Sequence, residues 1–306
     1  MVDPGSTRIA VLPRSADWID AAVVEGGAEI VDIDEATALV WTSANTPDEL
    51  AAVLAERPEI DWVQLPWAGV DPYVPIMDRT RTWTCAKGVY ADPVAEHALT
   101  LLLAGFRHIH TFARATTWEA SAGRNLIGAR IAIIGGGGIA ESLIRLLAPF
   151  DCSITVVRRR PVPMEGVQRV LGVDALAEGI TGADALVLAL PLLNDTRAMI
   201  GAHELSLLAT DAWVVNVARG EVCDTGALID ALDDGDLGGV ALDVTDPEPL
   251  PDGHPLWTHP DVIITPHTAN TPEMARPLLS SRIVSNVRRY AAGDPLAGVV
   301  DLAVGY

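Results

Sequence analysis

Four consecutive glycines at 135–138 constrain the fold of this chain more than any other feature. The segment before them, 130–134 (Arg-Ile-Ala-Ile-Ile), reads as a strand, and 139–147 reads as a helix, so the glycines join a strand to a helix. The spacing Gly135-x-Gly137-x-x-Ala140 suits a dinucleotide turn. Gly135 permits the tight turn, Gly137 lets backbone approach a pyrophosphate, and Ala140 keeps the helix close to the strand. Gly138 and Ile139 then open a helix whose N-terminus faces the phosphates. A glycine-rich turn can also serve packing alone, so the motif needs support from its surroundings.

That support comes from the next strand, 154–157. The fingerprint places an acidic residue about 20 positions after the glycines, to hold a ribose 2′-hydroxyl. Arg158, Arg159 and Arg160 stand there instead. Guanidiniums suit a 2′-phosphate through bidentate, charge-assisted hydrogen bonds. Arg158 is the first candidate for contact and Arg159 the next. The expected cofactor is NADP, with NAD as the less favoured alternative; the bland alternative is a solvated basic loop.

Alternation extends along the chain. Strands are expected at 9–12, 38–41, 62–65, 130–134, 153–157, 185–189, 213–217, 240–244 and 262–265, with helices between them, including 17–25, 47–56 and 225–233. Pro47 suits a first helical turn with Thr46 as N-cap. Two longer helices are expected at 92–111 and 272–292. The fold class is α/β, with two Rossmann-like or flavodoxin-like parallel-sheet domains. The nucleotide-binding domain, 98–280, is inserted in a substrate domain formed by 1–97 and 281–306, provided that a strand at 298–302 returns to the N-terminal sheet.

Composition narrows the function. The 306 residues are 49% hydrophobic and carry 21 basic against 41 acidic side chains, a formal charge of −20. Nucleic acid and anionic membranes need a net basic face, so neither is an expected partner. Lys87 is the only lysine, which excludes mechanisms that need another. Cys85, Cys152 and Cys223 lack metal-ligand spacing, and no metal site is expected. With no signal architecture and no apolar run near the ~20 residues of a membrane span, a cytoplasmic location is expected.

Three strand ends carry groups capable of chemistry. Arg219 follows 213–217, Asp243 and Glu248 lie at and beyond the end of 240–244, and His267 follows 262–265. In open α/β sheets ligands bind beyond the carboxyl ends of the strands. Arginine can clamp a carboxylate, histidine can donate a proton, and a glutamate can orient the histidine. His97, on the first long helix, reads as a packing or hinge residue. His108, His110, His203 and Lys87 have no constellation around them. Trp41 and Trp67 end or follow strands and could wall a pocket or fill a core.

These motifs resemble the D-isomer-specific 2-hydroxyacid dehydrogenase family, over nearly the whole chain and most closely its glyoxylate/hydroxypyruvate reductase A branch. The matching motifs are Leu-Pro-Trp-Ala-Gly-Val-Asp at 65–71, Asn-Val-Ala-Arg-Gly at 216–220, Leu-Asp-Val at 242–244 with Pro-Glu-Pro-Leu at 247–250, and Thr-Pro-His at 265–267. The resemblance implies an oxidoreductase that reduces a small 2-oxo acid to the D-2-hydroxy acid. It implies catalysis by Arg219, Glu248 and His267, and substrate-carboxylate binding by Arg219 and by backbone amides around Gly69 and Val70; Ala68, Trp41 and Trp67 complete the expected substrate-binding set. It places Asp243 and the Ala218–Arg219 backbone against the nicotinamide, and Pro191 near the cofactor. It also implies a homodimer packed through 92–111 and 116–125. Gly138 stands where many members carry arginine, and Arg158 where NAD-using members carry aspartate. A dinucleotide-sensing, corepressor-like protein and a phosphoglycerate-type dehydrogenase are the rival readings.

Overall fold

The structure is a computed structural model that describes residues 7–43, 45–118, 120–303 and 305. The chain begins β1 (Arg8–Leu12), α1 (Asp17–Glu25), β2 (Glu29–Ile30), β3 (Ala38–Trp41), α2 (Pro47–Ala55), β4 (Trp62–Gln64) and β5 (Thr82–Thr84). It continues with α3 (Ala91–Phe106), α4 (Ile109–Arg114), β6 (Arg130–Ile134), α5 (Gly138–Leu147), β7 (Ser153–Val157) and β8 (Arg169–Leu171). Then come α6 (Leu176–Ile180), β9 (Ala185–Leu188), α7 (Ala202–Ser206), β10 (Trp213–Asn216), α8 (Thr225–Asp233), β11 (Gly239–Leu242), β12 (Val262–Ile264) and α9 (Pro272–Ala292). Two compact units result: Met1–Tyr90 with Thr271–Tyr306, and Ala91–Asn270.

The first unit holds a five-stranded parallel sheet of order β2-β1-β3-β4-β5. Its core contains Leu39, Trp41, Leu50, Val63, Leu65, Tyr73 and Trp83. Helix α9 belongs to this unit and buries Ile283, Val284 and Val287. The expected strand at 298–302 does return to this sheet, but only as an antiparallel bridge between Val299 and Thr84. Two flanking bonds secure it, from Val300 N to Trp83 O at 2.9 Å and from Cys85 N to Gly298 O at 2.9 Å.

The second unit holds a seven-stranded parallel sheet of order β12-β11-β10-β9-β6-β7-β8. The order reverses between β6 and β9, the switch point where open α/β sheets bind ligands. Helices cover both faces, so the inner strands are apolar throughout: all four residues of β9 are fully buried. At roughly 1.5–3 kcal/mol for each buried Val or Leu side chain, a charge at Val187 would break this sheet.

Three differences from the sequence reading have local causes. The expected single helix over 92–111 is broken into α3 and α4 at His108, which adopts a left-handed φ of 50°. Trp213 fixes the approach, because its indole lies where a Cβ on Gly105 would be. The apolar period continues through Phe106 and Ile109, which hides the break in the sequence. Strands β2, β5 and β8 were not anticipated, being two or three residues each and partly polar. Thr46 precedes α2 as expected but makes no side-chain cap bond.

Candidate active site

Six strands of the second unit end in candidate site residues, and all six strands are parallel, so these ends share one edge of the sheet. The edge carries Gly135 after β6, Arg158 after β7, Pro191 after β9, Ala218 and Arg219 after β10, Asp243 after β11 and His267 after β12.

The glycine turn fits a dinucleotide. Gly135 has φ 111°, and a Cβ there would collide with the Ala189 carbonyl, so only glycine is tolerated. Its N–H donates to Val157 O at 2.8 Å, which ties the turn to the end of β7. A Cβ on Gly137 would meet nothing within 4 Å, which leaves the space a phosphate needs. Gly138 begins α5, and Ile139 packs onto the core beneath. A Cβ on Gly136 would come within 2.6 Å of Arg158 Nε. The Arg158 guanidinium therefore lies over the turn, half-buried, while Arg159 is exposed. Pro191 is half-buried, and its carbonyl accepts from Thr196 Oγ1 at 2.8 Å.

Arg219 is held by its own turn. Asn216, 1% exposed, donates from Nδ2 to Arg219 O at 2.8 Å and accepts at Oδ1 from Ala218 N at 3.0 Å. Arg219 Nη1 donates to Ala218 O at 2.7 Å. A Cβ on Gly220 would collide with the Thr245 backbone, so the glycine after the arginine lets this turn pack against the loop that carries Glu248. Two hydroxyls brace that loop: Thr225 Oγ1 donates to Asp246 O and Thr245 Oγ1 to Pro247 O, both at 2.9 Å.

Glu248 and His267 meet. His267 Nδ1 lies 2.7 Å from Glu248 Oε1, with both side chains partly open to solvent. The hydrogen bond from His267, aided by the charge of Arg219, holds the Glu248 carboxyl below the usual carboxylate range. His267 adopts φ 50°, a left-handed conformation that costs a histidine roughly 1–2 kcal/mol. Its amide is secured by Asp243 O at 2.8 Å and Thr265 O at 2.9 Å.

Asp243 is the anchor of that turn. It is 2% exposed. Oδ1 accepts from Thr265 Oγ1 at 2.6 Å and Thr268 N at 2.9 Å, and Oδ2 accepts from Ala269 N at 3.0 Å. Since the Thr265 proton goes to Asp243, the hydroxyl accepts from His97 Nε2 at 2.9 Å; the same nitrogen is 3.3 Å from Asp243 Oδ1. Burial alone would raise the Asp243 carboxyl, but bonds from His97, Thr265, Thr268 and Ala269 outweigh it and lower the carboxyl below its ordinary value. The sequence reading gave His97 only a packing or hinge role and did not see Thr265 as its bridge. A histidine facing a carboxylate 146 positions away (243 − 97) leaves no local signal.

The first unit has a cavity of its own, of about 360 Å³, bordered among others by Arg14, Trp41, Gln64, Trp67, Tyr90 and Arg276. Trp41 and Trp67 thus both line a pocket, although Trp41 is also core, and its buried indole N–H has no partner. The 66–70 loop is fastened by Tyr90 Oη to Pro66 O at 2.8 Å and Ala86 N to Trp67 O at 3.0 Å. Ala68 and Gly69 are half-buried and Val70 is buried. Among the described residues, no helix is long and apolar enough to cross a membrane.

Residues 98–269 match the family described as D-isomer specific 2-hydroxyacid dehydrogenase, NAD binding domain. The chain is 37% identical over 297 residues to an uncharacterized protein of Corynebacterium melassecola, covering 93% of this chain and 95% of that one. It is 31% identical over 285 residues to glyoxylate/hydroxypyruvate reductase A of Serratia proteamaculans, covering 88% and 87%. The D-isomer specific 2-hydroxyacid dehydrogenase of Xanthobacter autotrophicus Py2, solved with NADPH and MES, superposes with a TM-score of 0.85 at 29% identity, covering 98% and 100%. The chain is therefore an enzyme of the D-isomer specific 2-hydroxyacid dehydrogenase family.

Proposed function

We propose that this dehydrogenase reduces a small 2-oxo acid of the glyoxylate or hydroxypyruvate kind to its D-2-hydroxy acid, with NADPH as the preferred cofactor. The observation that carries the reading is the 2.7 Å His267–Glu248 pair, at the same sheet edge as Arg219 and the glycine turn. Likeness to the Serratia reductase supports the substrate class. The Arg158 guanidinium over Gly136 and the NADPH complex of the Xanthobacter relative support the cofactor.

When bound, the nicotinamide supplies a hydride for the carbonyl carbon. The chain does the rest. Arg219 pairs with the substrate carboxylate and draws electron density onto the carbonyl oxygen. His267, with Nδ1 held by Glu248, presents Nε2 to that oxygen and gives it the proton that completes the hydroxyl. Asp243 and the Ala218–Arg219 backbone would border the nicotinamide, and Pro191 would lie near the cofactor. The exposed apolar side chains of Ile109, Phe112 and Trp118 support assembly as a homodimer; sedimentation as a monomer at micromolar concentration would remove that part.

The test is kcat/KM for a panel of 2-oxo acids with NADPH and NADH, in wild type and Arg158→Asp. Each charge-assisted bond to a 2′-phosphate contributes roughly 1.5–3 kcal/mol, so two arginines should favour NADPH by about 100-fold or more. Arg158→Asp should reverse the preference. Equal use of both cofactors by the wild type would leave the arginine run a solvated loop. Failure to turn over any 2-oxo acid would favour the sensing role.

A further inference from the structure

We propose that His108, His110 and Asp261 form a binding site for a divalent transition-metal ion of the zinc type. The sequence shows no constellation around either histidine and no cysteine pair with ligand spacing; the fold supplies what the spacing lacks. The left-handed turn at His108 brings two imidazoles two residues apart to one place, and Asp261, just ahead of β12, joins them. One ligand atom from each of the three lies within 4.8 Å of the others.

A second observation points to a ligand. His110 is 9% exposed, and its buried Nδ1 makes no hydrogen bond of normal geometry, although the Ala104 carbonyl lies close enough to act on the ring. A buried polar atom without a well-formed hydrogen bond calls for an explanation, and a bound ion is one of the standard ones. Nε2 of the same ring sits 3.2 Å from Thr111 Oγ1. Metal-ligating histidines characteristically engage one ring nitrogen in a hydrogen bond that fixes the ring while the other faces the ion. Packing fixes the ring further: it meets Trp213 edge-on at 5.3 Å and stacks beside His108 at 6.0 Å.

Two imidazoles and one carboxylate favour zinc or a neighbouring first-row ion over magnesium or calcium, which prefer all-oxygen sites. With bonds of about 2.0–2.2 Å, tetrahedral ligand atoms stand about 3.5 Å apart. The cluster must contract by about 1 Å, and the half-buried His108 and Asp261 side chains have room to move. The fourth position falls to water. The ion would pin the α3–α4 break to the start of β12, the strand that leads into the His267 turn.

The experiment is calorimetric titration of chelator-treated protein with Zn²⁺, with Co²⁺ absorption as a second readout of the ligand set. We expect one ion per chain. Replacing an outer-shell partner of a bound metal typically costs 10–100-fold in affinity, so losing a ligand in His108→Ala or Asp261→Asn should weaken binding by about 100-fold or more. These half-buried positions avoid the folding risk of His110→Ala. His267→Ala, which removes the open His267–Glu248 pair, should leave this binding unchanged. No stoichiometric binding at micromolar Zn²⁺, or binding abolished by His267→Ala but not by His108→Ala, would overturn the site.

Discussion

Beside the looser His259–Asp233 contact of 3.7 Å, two closer histidine–carboxylate pairs of the second unit share the same side-chain chemistry and differ in their surroundings. His267 and Glu248 are 51% and 41% exposed and share one 2.7 Å contact. His97 and Asp243 are 18% and 2% exposed, 3.3 Å apart, and bridged by Thr265. The open pair leaves a ring nitrogen and a carboxylate oxygen available to substrate and solvent. The closed pair spends its carboxylate on a hydroxyl and two amides of the turn that carries His267. Burial and the number of hydrogen bonds, not residue type, separate the open pair, to which we assign proton donation, from the clamp.

The largest expected effect would break the open pair. His267→Ala should lower kcat by about 10²–10⁴, the usual contribution of a general acid, with the melting temperature nearly unchanged because the side chain is exposed. Wild-type turnover would remove His267 from the mechanism. Next comes the closed pair. Asp243→Asn cannot accept from Thr265, Thr268 and Ala269 together, and should destabilise the protein by about 2–3 kcal/mol in urea unfolding. The sign with pH follows. A carboxyl lowered in the folded state contributes stability that is complete above its unfolded value of about 3.9 and is lost as pH falls through the lower folded value. Asp243→Asn should lack that increment at neutral pH, so its deficit against wild type should shrink in acid. A deficit that stays constant to low pH would mean the carboxylate charge is not what holds the turn.

Smaller changes sharpen the contrast. Glu248→Gln keeps the imidazole in place but removes the anion. With both side chains partly solvated, the lost charge-assisted bond should count for about 1.4 kcal/mol, or roughly tenfold in kcat, with little effect on cofactor affinity. An unchanged kcat would leave Glu248 a surface residue. His97→Ala should cost least, about 1 kcal/mol for one bond, seen as a fall in melting temperature of about 2–4 °C. If His97→Ala instead matched His267→Ala in kcat, the division between donor and clamp would fail.

Much of this was legible in the chain. Regular alternation marked most strands of both sheets, and helices at 17–25, 225–233 and 272–292 fall where the apolar period places them. The arginine run after β7 and the groups at the ends of β10, β11 and β12 stood out because strand ends bracket them. Illegible were short polar strands such as β5, and the break at His108, where the apolar period runs on undisturbed.

The sequence by itself determined the period-2 and period-3.6 patterns, the one glycine turn that accepts φ 111°, and the residue types with acid, base or anion-binding chemistry. Tertiary structure alone decided which of those residues share an environment. His97 meets Thr265 across 168 positions, and Asp261 meets His108 and His110 only because β12 lies at the edge of a seven-stranded sheet. Local patterns are set by backbone geometry within a few residues. Burial and long-range hydrogen bonds exist only after the sheet has brought distant strand ends together, and they decide whether a carboxylate beside a histidine works as a clamp or as a catalyst's partner.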